Sequence, residues 1–252
     1  MYMEMVLLTA LGVGGATIVG AIIGFFVHDV NHKTNDMILS FAAGIMLAAA
    51  VNGLILPAFE MTGTGKLFVP ILGIFAGALF LNLMDRFTPH LHKLSGVEIE
   101  EHQDNRNLSR ALLFVMAVAI HNLPEGLAAG VGFGNDDMSA AITVAVGIAL
   151  QNIPEGVVTV SPLIMSGVKR SRAVLLASIT GLIEVIGTFI GFSVSSLSTQ
   201  ILPFALAFAG GTMLYIISDE MIPETHSHGY ERISTYSLLV GFTLMLVLDM
   251  VI

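Results

Sequence analysis

The chain is divided almost from end to end into apolar runs of bilayer length. They cover about 5–27, 37–59, 67–84, 111–133, 138–163, 173–194, 201–218 and 233–248, separated by short polar or glycine-rich stretches. A helix needs about 20 predominantly apolar residues to cross the hydrocarbon core. The chain is 55% hydrophobic and 12% charged, whereas a soluble domain carries roughly 25% charged residues. A soluble fold of 252 residues could not hide so much apolar surface. The expected fold is an all-α integral membrane protein, a single domain over 1–252 with eight transmembrane helices.

The polar residues restrict what such a bundle could do. There is no cysteine, so disulfides and thiolate metal sites are excluded. The net charge of -9 argues against nucleic acid as a partner. No basic region precedes the first apolar run, where Glu4 stands instead, so that run is expected to be a span and not a cleaved leader. Lys33, Arg86, Lys93, Arg106, Arg110, Lys169, Arg170, Arg172 and Arg232 fall on one side of the expected topology, and Lys66 alone on the other. By the positive-inside rule the first side is cytoplasmic and both termini lie outside. The longest polar segment, about 88–109, then becomes a cytoplasmic loop carrying His90 and His92.

Within the fourth and fifth runs stand two near copies of one six-residue stretch, His121-Asn122-Leu123-Pro124-Glu125-Gly126 and Gln151-Asn152-Ile153-Pro154-Glu155-Gly156. A carboxylate at the centre of a membrane helix costs roughly 2.5–3.5 kcal/mol on insertion scales, and Glu184 in the sixth run adds a third. No Lys or Arg lies inside any of the runs to pair with them. Such acids must be protonated or hold a cation. His121, Asn122 and Glu125 share one helix face, as do Gln151, Asn152 and Glu155. Imidazole nitrogen, amide oxygen and carboxylate oxygen suit a first-row divalent ion. Pro124 and Pro154 free the carbonyls of Ile120 and Leu150 at the same depth. Gly126 and Gly156 admit a close neighbouring helix. The short turn at 134–137 makes spans 4 and 5 antiparallel neighbours, so the two stretches are expected to face each other. Polar glue between helices is the plainer reading for any one amide, but it leaves the unpaired acids unexplained.

The doubled stretch resembles the paired signatures of the ZIP (Zrt-, Irt-like protein) metal transporters, in a prokaryotic-type, GufA-like form. The resemblance covers essentially the whole chain. It implies a single transporter domain that moves divalent metal, mainly Zn2+, into the cytoplasm. It also implies a site between spans 4 and 5, completed by spans 2 and 6. His121, Glu125, Gln151 and Glu155 would be core ligands, with Asn122, Asn152 and Glu184 completing an adjacent second site. Some relatives carry an acid where this chain has Asn152, so the second position has one charge fewer here. Met46 resembles a thioether ligand, or is one packing methionine among fourteen. Asp249 would line the outer mouth. Asp219 and Glu220 resemble an exit-side pair, with a solvated helix end as the alternative. His90, His92, His226 and His228 could capture metal on the cytoplasmic side, or be ordinary loop histidines.

The expected location is a plasma membrane, or the inner membrane if the source is bacterial. The expected partners are a divalent ion (Zn2+, with Cd2+, Fe2+, Mn2+ and Co2+ as alternatives), the lipid bilayer and a second copy of the chain in a homodimer. The protein is not expected to be an enzyme. An intramembrane metalloprotease would need a His pair of the His-Glu-x-x-His kind, and His121 is the one intramembrane histidine. A membrane metal sensor without transport remains an alternative.

Overall fold

The structure is a computed structural model that describes residues 2–27, 31–94, 103–134, 138–165, 167–197 and 200–252. It is all-helical among these residues. The rods are α1 (Tyr2–Phe26), α2 (His32–Thr62), α3 (Phe68–Leu94), α4 (Gln103–Val131), α5 (Met138–Met165), α6 (Arg170–Leu197), α7 (Leu202–Thr225) and α8 (Glu231–Val251). Within the described residues α1, α2, α5, α6, α7 and α8 are long and apolar enough to cross a membrane, and Phe68–Met84 is a shorter apolar helix. Their outward surfaces carry large apolar side chains such as Leu8, Phe75, Leu182 and Val247. That is the pattern of a bundle solvated by lipid.

Hydropathy placed several helix ends too early. The segment expected as a loop over 88–109 is helical at both ends, because α3 runs on to Leu94 and α4 begins at Gln103. Apolar runs report the edge of the hydrocarbon, and backbone hydrogen bonding can continue past it into water. His90 and His92 therefore lie on the helical extension of α3; their side chains fall outside the described residues. Likewise α7 does not stop at Ser218 but continues through Thr225. At the start of α2, the Asn31 side chain accepts from the backbone N–H of Thr34 at 2.9 Å, a conventional helix cap.

Two rods widen locally into π-helical turns, over Ala49–Ile55 in α2 and Ile217–Met221 in α7. Each widening runs up to a proline, Pro57 and Pro223. Proline has no N–H to give to the carbonyl four residues earlier and crowds it. An i→i+5 turn relieves that conflict, and such turns recur at functional sites. The second one carries Asp219 and Glu220.

The rods group into two bundles. In one, α4 packs along α6, and α1 along both α5 and α6; in the other, α3 packs along α7 and α2 along α8. Glycines set these approaches. A Cβ at Gly126 would strike the Glu184 carbonyl, and one at Gly156 the Thr17 carbonyl. In the second bundle Gly44 sits against Leu238, and Gly77 against Phe208. Without a hydrophobic drive between helices in lipid, close backbone packing at small residues is what holds such pairs together. The bundles meet along a seam in which α2 faces α5 and α4 faces α7. Towards the α4–α5 turn the seam is filled by Ala50 and Leu54, Ala128 and Ala129, Ile148, Leu206 and Met213.

Candidate metal centre

Towards the opposite end, the seam opens into a cavity of about 500 Å³. Its walls come from α2 (Leu39), α4 (Val118, His121, Glu125), α5 (Glu155, Val158, Thr159) and α7 (Ile216, Asp219, Glu220, Met221, Pro223, Glu224). Glu125 and Glu155 stand at its inner end, and it widens towards the exposed Asp219 and Glu224. The two repeated stretches thus face one space, as their spacing predicts.

The side chains at that inner end are buried and incompletely paired. His121 is 7% exposed, Glu125 1% and Glu155 9%. Nε2 of His121 lies 2.8 Å from Oε1 of Glu220 without the alignment of a hydrogen bond, so this nitrogen has no hydrogen-bond partner. Glu125 receives a hydrogen bond from Gln151, but its Oε2 is unpartnered, as are Oδ1 of Asn122 and Oε1 of Gln151. Buried polar groups are nearly always satisfied, so the unpaired oxygens of Glu125 and of its partner Gln151 are sites where a positively charged occupant would be favoured. Among the described residues no three His, Asp or Glu side chains stand close enough to hold a metal ion by themselves.

Glu184, Asn122 and Asn152 do not line the cavity. Glu184 is fully buried, and both of its oxygens are engaged. Oε1 accepts from Thr17 Oγ1 at 2.6 Å and from Nδ2 of Asn122; Oε2 accepts from Nδ2 of Asn152 at 2.5 Å. The same Nδ2 of Asn152 donates to the Val13 carbonyl at 3.2 Å, and Oδ1 of Asn152 accepts from Nε2 of Gln151 at 2.8 Å. The two motif glycines explain this meeting. Gly126 lets the backbone of α6 approach at Glu184, and Gly156 lets α1 approach at Thr17. Thr17 is a participant that sequence reasoning missed. A single threonine in a long apolar helix carries no signal without its partner.

The remaining candidates are scattered. Glu220 and Asp219 are not a solvated helix end but lie within α7 on the cavity wall. Met46 is 1% exposed in an apolar cluster with Ala42, Ala43 and Ala50, not on that wall. Asp249 is exposed near the end of α8, far along the chain from the cavity-lining segments. His226 is engaged by Thr225, the Ile222 carbonyl and Thr235. Nδ1 of His228 lies 3.1 Å from Oδ1 of the fully buried Asp36, and its ring stacks on His32 with centroids 4.5 Å apart. Gly229, at φ 86°, makes the left-handed turn that follows.

Comparison with known proteins bears on the family of the chain. A family model described as "ZIP Zinc transporter" matches residues 92–249. The chain is 40% identical over 250 residues to "Zinc transporter GufA" of Myxococcus xanthus, covering 97% of each. It is 37% identical to "Zinc transporter ZIPB" of Bordetella bronchiseptica, covering 93% of this chain and 77% of that one. "Zinc transporter ZIP11" of Homo sapiens is 30% identical, with 93% of each covered. On the doubled stretch, the helical bundle and these relatives together, the chain belongs to the ZIP zinc transporter family.

Proposed function

We propose that the protein carries Zn2+ across the membrane into the cytoplasm through the cavity between its two bundles. The observation that carries this reading is the set of unpaired buried atoms on His121, Glu125 and Gln151, standing in apolar stretches that hold no Lys or Arg to neutralise an acid. A divalent ion would take Nε2 of His121, an oxygen of Glu125 and the amide oxygen of Gln151, and would draw in Glu155 from the same cavity wall. Mixed nitrogen and oxygen donors of this kind suit zinc, and also Cd2+, Fe2+, Mn2+ or Co2+. Because no three His, Asp or Glu side chains stand close enough among the described residues, the amide and water complete the shell. Asn122, Asn152 and Glu184 form the polar layer beside it.

The cavity leads from this group past Glu220 and Asp219 towards the end that carries most basic residues, the cytoplasmic end by charge bias. The apolar seam closes the other end. In this arrangement the ion leaves inwards, handed from Glu125 and His121 to Glu220. Movement of the α1/α4/α5/α6 bundle against the other would open the outer end for the next ion. All eight rods span, both termini lie outside and the membrane is a plasma or inner membrane. His226 and His228 follow the Pro223–Glu224 wall at the open end of the cavity, where released metal would pass them.

Uptake of Zn2+ into proteoliposomes tests this reading. Wild-type protein should accumulate zinc and Glu125→Ala should not; equal uptake by both would overturn the site. The same vesicles with Cd2+, Fe2+, Mn2+ and Co2+ report selectivity, and absence of flux with retained binding would make the protein a sensor.

A further inference from the structure

Beside the cavity but not in it, the start of α2 meets the turn between α7 and α8. Asp36 is fully buried there. Among the described residues its one ion-pair partner is His228, whose Nδ1 lies 3.1 Å from Oδ1. Oδ2 of Asp36 has no hydrogen-bond partner, nor has Oγ of Ser40 one turn further along α2. A carboxylate only accepts, so Nδ1 of His228 carries the hydrogen and Nε2 keeps the lone pair of the neutral ring. The exposed Ser227 hydroxyl makes only a long contact of 3.4 Å with each ring nitrogen. The ring of His32 stacks on that of His228, with centroids 4.5 Å apart and planes 26° apart. His32 is the first residue of α2 and is exposed, so its ring is free to turn. In His226, by contrast, both nitrogens are engaged, Nδ1 by Thr225 and the Ile222 carbonyl and Nε2 by Thr235.

We propose that His228 and His32 hold a divalent metal ion such as Zn2+ in a second site, separate from the cavity, with Asp36 as the carboxylate behind His228. Metal-binding histidines almost always give their other N–H to a carboxylate or carbonyl, which fixes the tautomer and raises the basicity of the ligating nitrogen. That outer half is built here in a fully buried position. A cation on Nε2 would polarise the ring and strengthen its hydrogen bond to Asp36. A proton would do the same for one ring, but two protonated rings stacked on each other would repel. One ion shared by two neutral rings avoids that repulsion. Imidazole nitrogen suits Zn2+, Cu2+ and Ni2+, and water would complete the shell. Neither histidine lines the cavity, yet His228 follows four residues after Glu224, the end of the cavity wall on α7. An ion here would tie the chain leaving that wall to the start of α2. The site would stand whether or not the cavity carries zinc.

Titration of Zn2+ into the tag-free, full-length protein in detergent, against a chromophoric chelator, reads affinity and ions bound per chain. His32→Ala and His228→Ala should each bind one ion fewer than wild type. Glu125→Ala, altered in the cavity, should keep that ion, and adding His32→Ala to it should remove the ion. Asp36→Asn should keep the count, with affinity at this ion lower by roughly 10–100-fold, the loss usual for an outer partner of a metal ligand. Should His228→Ala or Asp36→Asn fail to fold, the exposed His32→Ala still decides. An unchanged count in His32→Ala would overturn the proposal and leave Asp36 and His228 an ordinary ion pair. A Glu125→Ala protein that binds no zinc would overturn it too, and wild-type affinity in Asp36→Asn would overturn the part given to Asp36. Equal zinc uptake by wild type and Glu125→Ala would instead overturn the transport reading and leave this site untouched.

Discussion

His121 and Asn122 are neighbours on α4, as Gln151 and Asn152 are on α5, yet the two members of each pair face different surroundings. His121, with Glu125 and Glu155, borders a cavity, and Nε2 of His121 and Oε2 of Glu125 lack hydrogen-bond partners. Asn122 and Asn152, one residue on, give their NH2 groups to Glu184 in a knot that also ties in α1 through Thr17 and Val13. The cavity side is left unsatisfied by the fold and is therefore available to an ion. On the other side both oxygens of Glu184 are engaged, and the knot joins four helices. The two buried acids thus differ in whether their oxygens are already engaged within the protein.

That contrast can be broken by substitutions on either side. The largest expected effect is on transport. Glu125→Gln should lower zinc uptake in proteoliposomes by more than the roughly 10–100-fold that loss of an outer partner costs. Its metal-free melting temperature should nevertheless be unchanged or higher, because a neutral amide replaces a buried acid whose charged form the apolar surroundings disfavour. Next comes stability. Glu184→Ala orphans the donors of Thr17, Asn122 and Asn152, each at a cost of about 1–3 kcal/mol, so thermal unfolding in detergent should shift down even without metal. If Glu125→Gln were the destabilised variant and Glu184→Ala the stable one, the distinction between the two sides would be wrong.

Gly126→Ala and Gly156→Ala test how the knot is assembled. Each new methyl group meets a backbone carbonyl, of Glu184 or of Thr17. Overpacking of this kind costs typically about 1–3 kcal/mol, and both should lower the melting temperature. The smallest effect is expected outside both regions. His228→Ala removes the partner of the fully buried Asp36; leaving that acceptor unpaired costs about 1–3 kcal/mol, so melting should fall by no more than in the glycine variants and uptake should change little.

Much of this was legible in the sequence because lipid is an undemanding solvent to read. Every expected span corresponds to a helical rod, and the doubled stretch with Glu184 marked the polar centre. What stayed hidden depends on contacts or on backbone detail. The continuation of α7 through Thr225 is invisible to hydropathy, since Asp219 and Glu220 read as the end of a span when they in fact occupy a π-helical turn facing the cavity. The partnership of Thr17 with Glu184 joins residues 167 positions apart. The different surroundings of Asn122 and His121 follow from which helix each meets, which helical spacing alone does not specify. Met46, equally readable as a ligand or as packing, sits in the apolar cluster.

The most direct measurement is an anomalous difference map from crystals of the protein grown or soaked with Zn2+. The account predicts a peak at about 2.0–2.2 Å from Nε2 of His121 and from a Glu125 oxygen, with Glu184 still bonded to Thr17. A peak ligated by Glu184, with His121 free of metal, would contradict it.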